Sequence, residues 1–262
     1  MKAELRTITP AWAGKVLKDQ NTKNRAMSMK HVAKLAAEMR SGRWKVNGDT
    51  IRFEGDLLVD GQHRLAAVVM TGITIQSFVV EGLPAGVFDS IDSCLKIRKP
   101  GDMLGVRGEK NCYRLAAALA LTDRYMTGRG DKYVEYTNPE VEELLEKYPG
   151  VRESIQITAK AKGLMPPSLL DACHYIFSQI DKLMADEFVT KVVKGTGLTD
   201  GDPYHVLRER LLDNSISKAK LSKPYMLALC IKAWNCTRKG VKVRYLRLRT
   251  IGDVIETFPV AV

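Results

Sequence analysis

The sequence predicts an α+β protein: a small N-terminal domain built on a mixed sheet, followed by an all-helical C-terminal domain. Three observations carry this. Residues 50–83 read as strand, strand, helix, strand; beyond Lys110 almost every periodic stretch has helical spacing; and 262 residues at 45% hydrophobic content suffice for one large core or two modest ones. The change of pattern sets the boundary near 105, giving domains 1–105 and 106–262.

The first element read is a helix over 28–41, where Val32, Leu35, Ala36 and Met39 share one face, Ser28 can cap the start and Gly42 follows the end. Alternation over 50–54, turning to an apolar run over 57–60 across the Gly55-Asp56 turn, predicts a hairpin. Asn47 and Asp49 precede it as turn-formers. Gly61 to Thr71 is helical in pattern and closed by Gly72, and the β-branched stretch 73–83 is a strand. In the second half the apolar spacing predicts helices near 110–127, 138–148, 151–162, 167–187, 203–213 and 223–238. Asn138-Pro139 with Glu140, Glu142 and Glu143 behind it is a start signal.

Composition narrows the function. The net charge is +11 and the pI near 9.4, which favours a polyanionic partner such as DNA or a phosphorylated ligand. Five scattered cysteines, never in a CxxC pair, suggest neither a disulfide framework nor a zinc site, and hence a reducing, cytoplasmic compartment. No apolar run reaches the roughly 18 residues of a membrane span, and no signal-peptide pattern opens the chain. No membrane partner is expected.

The stretch "LLVDGQHRLAAVV" (57–69) places Asp60, Gly61, Gln62, His63 and Arg64 between an apolar strand and an apolar helix. The first N–H groups of such a helix lack internal acceptors and carry the positive end of its dipole, so they can hold an anion. Gly61 would let a phosphate approach the backbone, Arg64 would add a bidentate contact, and Gln62 and His63 would add donors. Asp60 can hold a metal ion, orient His63, or simply cap the helix. The plainer alternative is a capped helix whose first turn is solvated.

These residues carry a resemblance. "DGQHRLAA" (60–67), preceded by "NRAMSMKHVAKLAAEMRSGRW" (24–44) and "NGDTIRF" (47–53), resembles the ParB/sulfiredoxin superfamily, particularly the phage-type ParB-like nuclease-domain proteins. The match spans roughly the first hundred residues. It implies a sulfiredoxin-like fold and a nucleotide-phosphate pocket at Gly61, His63 and Arg64, with Arg25 in the segment resembling the family's first basic box. The departures are informative. Gln62 stands where sulfiredoxins carry cysteine, and Gly-Gln-His-Arg replaces the Gly-Glu-Arg-Arg of chromosome-partitioning ParB proteins, whose helix-turn-helix region has no recognisable counterpart here. A branch that phosphorylates free serine has a similar Asp-Gly-x-His-Arg arrangement.

Other candidates complete the site. Glu38, near the end of the first helix, is a possible metal ligand or base, or else a solvated helix residue. Asp92 and Arg98 follow the third strand as a possible far wall of the pocket, Asp92 being preferred to Asp89 on the resemblance. His31, His174 and His205 stand singly and read as structural, and Trp12, Trp44 and Trp234 as core or interface anchors. Residues 218–249 hold ten Lys or Arg and no acid. From this run Lys232, Arg238, Lys239, Lys242, Arg244, Arg247 and Arg249 are candidates for a DNA-binding strip, unless the acids of 135–146 shield it.

The leading expectation is therefore a ParB-like protein that binds a nucleotide or DNA phosphate at Gly61–Arg64 and contacts DNA through a basic surface. If it is a nuclease, Mg2+ or Mn2+ on Asp60 would activate water, with Arg64 and His63 stabilising charge. The alternatives are an ATP- or CTP-dependent phosphotransferase with Glu38 as base, and a DNA-binding regulator or host-interaction protein without catalysis.

Overall fold

The computed structural model describes residues 1–91, 98–161, 163–248, 250–251 and 254–262; Asp92, Cys94 and Arg249 lie outside the described residues. The chain is α+β and divides into two compact units, Met1–Ile97 and Arg98–Val262. The boundary precedes 105 because a short helix over Pro100–Val106 packs with the helical unit.

The N-terminal unit opens with β1 (Lys2–Ile8) and α1 (Pro10–Asp19), continues with α2 (Met29–Arg40), the hairpin β2 (Thr50–Glu54) and β3 (Leu57–Asp60), then α3 (Gln62–Thr71) and β4 (Ile75–Glu81). The sheet order is β1-β4-β2-β3, with β2 parallel to β4 and the other pairs antiparallel. β1 and α1 escape the periodicity reading. β1 alternates charged residues whose partners are each other and the neighbouring strand, as where Arg6 meets Glu81 at 3.1 Å, so its apolar face is thin. α1 is set by its cap instead: Thr9 accepts the Trp12 N–H at 3.2 Å and Pro10 pre-sets the first turn.

The core of this unit joins Val16 of α1, Val32, Ala36 and Met39 of α2, Leu65 and Val68 of α3, and Ile51, Leu58 and Val79 of the sheet. Each of these side chains larger than alanine contributes about 1.5–3 kcal/mol by leaving water. Between Arg52 and Phe53 the β2–β3 register shifts: Arg52 lies opposite Asp60 and Phe53 opposite Leu58, so Val59 is the extra residue of a bulge. Both Leu58 and Val59 are buried, and the bulge turns Asp60 back toward Arg52 at the strand's end.

The helical unit comprises α4 (Pro100–Val106), α5 (Cys112–Met126), α6 (Asn138–Lys147), α7 (Val151–Thr158), α8 (Pro167–Ser178), α9 (Lys182–Lys194), α10 (Pro203–Ile216) and α11 (Lys223–Arg238), then short strands β5 (Thr250–Ile251) and β6 (Val254–Ile255). The expected helix over 167–187 is two helices: Asp181 accepts the Met184 N–H at 3.0 Å and restarts the chain as α9. α6 is capped by Thr137, not by Asn138, in a capping box with Glu140. α8 is buried from Ser168 to Phe177 and packs with α5, α7, α9 and α11. Phe177 stacks on Trp234 of α11 at 4.3 Å.

Residues 258–262 return over this unit. Asn235 donates to the Val260 carbonyl at 2.7 Å and accepts the Val262 N–H at 3.0 Å; Trp234 donates to the Val262 carbonyl at 3.1 Å, and the Tyr125 hydroxyl accepts the Ala261 N–H at 2.8 Å. Among the described residues no helix is long and apolar enough to cross a membrane.

Candidate functional site

The strand-to-helix junction at Asp60–Arg64 folds inward. Gly61 has φ +100°, which favours glycine, and a Cβ there would lie 3.1 Å from Cγ1 and 3.3 Å from Cα of Ile51. The space a side chain would take at Gly61 is thus filled by Ile51 of β2, and the glycine serves close packing of α3 on the sheet.

The Arg64 guanidinium, expected to face a ligand, instead donates to the Thr50 carbonyl at 2.8 Å and lies 3.4 Å from Asp60 Oδ2; its side chain is 15% exposed. Asp60 accepts the Gly61 N–H at 2.7 Å and has Arg52 at 3.8 Å. Every neighbour of this carboxylate is a donor or a cation, so the set does not fit a divalent ion. Among the described residues no group of three or more His, Cys, Asp or Glu is placed to hold one. Glu38, the other proposed ligand or base, is held by Arg43 at 3.1 and 3.3 Å.

Gln62 and His63 are buried, and the segment between α1 and α2 closes over them. Gln62 donates to the Arg25 carbonyl at 2.9 Å and accepts from Asn21 at 3.2 Å. His63 Nε2 accepts the Ser28 N–H at 3.0 Å, which requires that nitrogen to be unprotonated. Asn24 donates to the Leu58 carbonyl at 3.1 Å, and the Leu58 N–H to the Gln20 carbonyl at 2.9 Å. The polar knot is therefore a joint that stitches residues 20–28 to β3 and α3.

The joint is electropositive. The His31 and His63 rings meet edge to face at 5.1 Å. Burial lowers the His63 pKa, and His31, Arg25 and Arg64 lower it further against the opposing pull of Asp60. Burial likewise lowers that of His31, helped by Lys34, Arg25 and Arg64. Arg25 itself is exposed, with no acidic partner among the described residues. Arg98, expected on the far wall of this pocket, belongs to the helical unit, where its carbonyl accepts from Asn138 at 3.3 Å.

The basic run of the helical unit sorts differently from the expected continuous strip. α11 is buried from Met226 to Ile231 and again at Ala233 and Trp234, which leaves little surface for cations. Lys232 is spent internally: it pairs with Glu256 at 2.7 Å and donates to the Arg247 carbonyl at 2.9 Å. Arg238 lies 3.7 Å from Asp181 and 5.7 Å from the Trp234 ring. Lys239, Lys242, Arg244 and Arg247 are exposed and have no acidic partner among the described residues. Of the acids thought to shield the run, Glu140 caps α6 and Glu142 pairs with Arg107 at 2.6 Å.

The backbone bearing these cations is pinned from behind. The Val243 N–H donates to the Gly201 carbonyl at 2.9 Å, Leu246 is buried, and Lys232 holds the Arg247 carbonyl. Side chains between these anchors project outward. Tyr245 is 65% exposed, and the Arg247 guanidinium lies 4.8 Å from its ring centre.

Buried polar clusters of the helical unit escaped sequence reasoning, because their members are separated in the chain; Arg114, Thr158 and Asp171 form one of them. Asp123, 4% exposed, accepts from the Tyr136 and Tyr148 hydroxyls at 2.8 and 3.0 Å and pairs with Arg129 and Lys147, each at 3.1 Å, beside a cavity of about 220 Å³. His174, read as structural, bridges Ser154 at 2.9 Å and Asp186 at 2.8 Å. Ser154 is 1% exposed, so this serine-histidine-aspartate chain offers no nucleophile to a substrate.

No family model, curated protein or solved structure matches the chain.

Proposed function

We propose that the protein binds DNA through the exposed edge formed by residues 238–247, and that it does so without catalysis at the Asp60–Arg64 junction. The observation that supports this is the pinned segment itself: four unpaired cations held outward by a backbone whose own contacts face the protein. Such an arrangement spends little conformational entropy when phosphates replace the counterions around it. The surplus of eleven positive charges draws a polyanion to it from a distance.

The test is the salt dependence of binding to a fluorescent oligonucleotide, followed by anisotropy. Changing Lys239, Lys242, Arg244 and Arg247 to Gln removes four phosphate contacts, which lowers the steepness of log K against log salt by about 3 to 4. A variant that keeps the parent affinity and slope overturns the reading.

A second reading has one observation in its favour. Arg25 and Arg64 lie close enough to His31 and His63 to lower both histidine pKa values beyond what burial alone does, so positive charge gathers around the two rings. In that reading the resemblance to ParB/sulfiredoxin proteins extends to a nucleotide phosphate, from ATP or CTP, and the Arg64 guanidinium exchanges Asp60 for it. Nuclease or phosphotransferase chemistry would need that exchange first. Thermal stabilisation by either nucleotide, lost in Arg25→Ala, supports it; the same melting temperature with and without nucleotide removes it.

A further inference from the structure

We infer that the DNA taken by the 238–247 edge is single-stranded, with Tyr245 as the platform on which an unpaired base stacks; this rests on the DNA-binding reading above. Three features of the edge point away from duplex. Reading a major groove takes a helix or a paired two-stranded ribbon that can enter it. Residues 241–248 are neither, being in no helix or strand and fastened to the protein at Val243, Leu246 and the Arg247 carbonyl. Two of the three cations in α11 are engaged elsewhere, Lys232 by Glu256 and Arg238 by Asp181.

The second feature is Tyr245. An aromatic ring 65% exposed, within a run of four unpaired cations, forgoes the burial that would ordinarily hold it. Base stacking recovers that burial, and it is tolerant of sequence because every base presents a π face. The third is Arg247, whose guanidinium lies 4.8 Å from the ring centre. It fixes the ring's orientation and adds a cation–π partner to the stack. Arg244 and Lys242, exposed on the same segment, are placed to follow the phosphates flanking the stacked base.

The experiment uses the full chain and two fluorescein-labelled probes, a 15-nucleotide oligo(dT) strand and a 15-base-pair duplex, titrated at one salt concentration. The single strand is expected to bind more tightly. Tyr245→Ala should weaken it at least about fivefold while changing duplex affinity less than twofold, and Tyr245→Phe should bind as the parent does. Because Tyr245 is exposed, unchanged circular dichroism and melting will show that Tyr245→Ala stays folded. Equal or tighter duplex binding, or a Tyr245→Ala variant that holds oligo(dT) as well as the parent, overturns the inference while leaving DNA binding by the edge intact. Failure of both probes to bind overturns both.

Discussion

Replacing Arg64 by alanine tests whether the junction at the start of α3 is a joint or a receptor. The change deletes a 2.8 Å bond to the Thr50 carbonyl and an ion pair with Asp60 at 3.4 Å, both made by a side chain only 15% exposed. Asp60 keeps the Gly61 N–H, and Arg52 stands 3.8 Å away, so the carboxylate is only partly compensated, while the Thr50 carbonyl loses its donor from Arg64. A lost charge-assisted bond and a buried group left wanting together cost about 2–4 kcal/mol. For a unit of this size that corresponds to a fall of about 10 °C or more in melting temperature. Urea unfolding followed by tryptophan fluorescence measures it, since Trp12 and Trp44 both report on the N-terminal unit. Arg64→Lys, which keeps the charge but not the fork, should fall between parent and alanine. An alanine variant within about 0.5 kcal/mol of the parent would show that the guanidinium does not hold the junction, and the argument for a joint would fail.

Two further outcomes follow from the titratable groups. His63 has its pKa lowered from 6.5 by burial, then by His31 and Arg25, so between its folded and unfolded values the unfolded chain binds the extra proton. Stability is therefore full above about pH 6.5 and declines as pH falls below it; His31 acts in the same direction, and Asp60 opposes it weakly. Urea midpoints from pH 8 to 5.5 should show this decline, and His63→Gln should flatten it; stability that rises on acidification contradicts the Ser28 N–H bond to a neutral ring. In the helical unit, Asp123→Asn should cost about 2–3 kcal/mol, because one tyrosine hydroxyl would then face an amide donor. Burial and the Asp123 bond hold the Tyr136 phenol well above its ordinary 10, so ultraviolet titration should show a tyrosine ionising closer to 10 in the variant.

How much of this was legible in the sequence depends on how local the cause was. The strand, glycine and helix of 57–71 announce themselves because an apolar run, a glycine and helical spacing follow one another within fifteen residues. α2 was legible through Ser28, which accepts the His31 N–H, and through its apolar face. β1 was not, because its pairing with β4, from Lys2 opposite Glu81 to Ile8 opposite Ile75, decides it from far along the chain. The same distinction governs the candidate site. Crowding of polar groups at Asp60–Arg64 could be read, but whether they faced a ligand or the protein depended on acceptors in residues 20–28 and 50, brought there by the fold. The basic run was visible as composition, yet Lys232 leaves it through Glu256, twenty-four residues on. Asp123 gave no sign at all, since its four partners lie at 129, 136, 147 and 148.

The tie made by residues 258–262 sets an order on biosynthesis. α5 and α11 are joined through Tyr125, Trp234 and Asn235 to a segment translated after both helices are complete. Until residues 258–262 have left the ribosome, the Asn235 amide and the Trp234 indole nitrogen await their backbone mates, and the helical unit is a bundle without its latch. Closure comes only when the latch emerges, so removing these five residues should leave a chain that gathers its helices but holds them loosely.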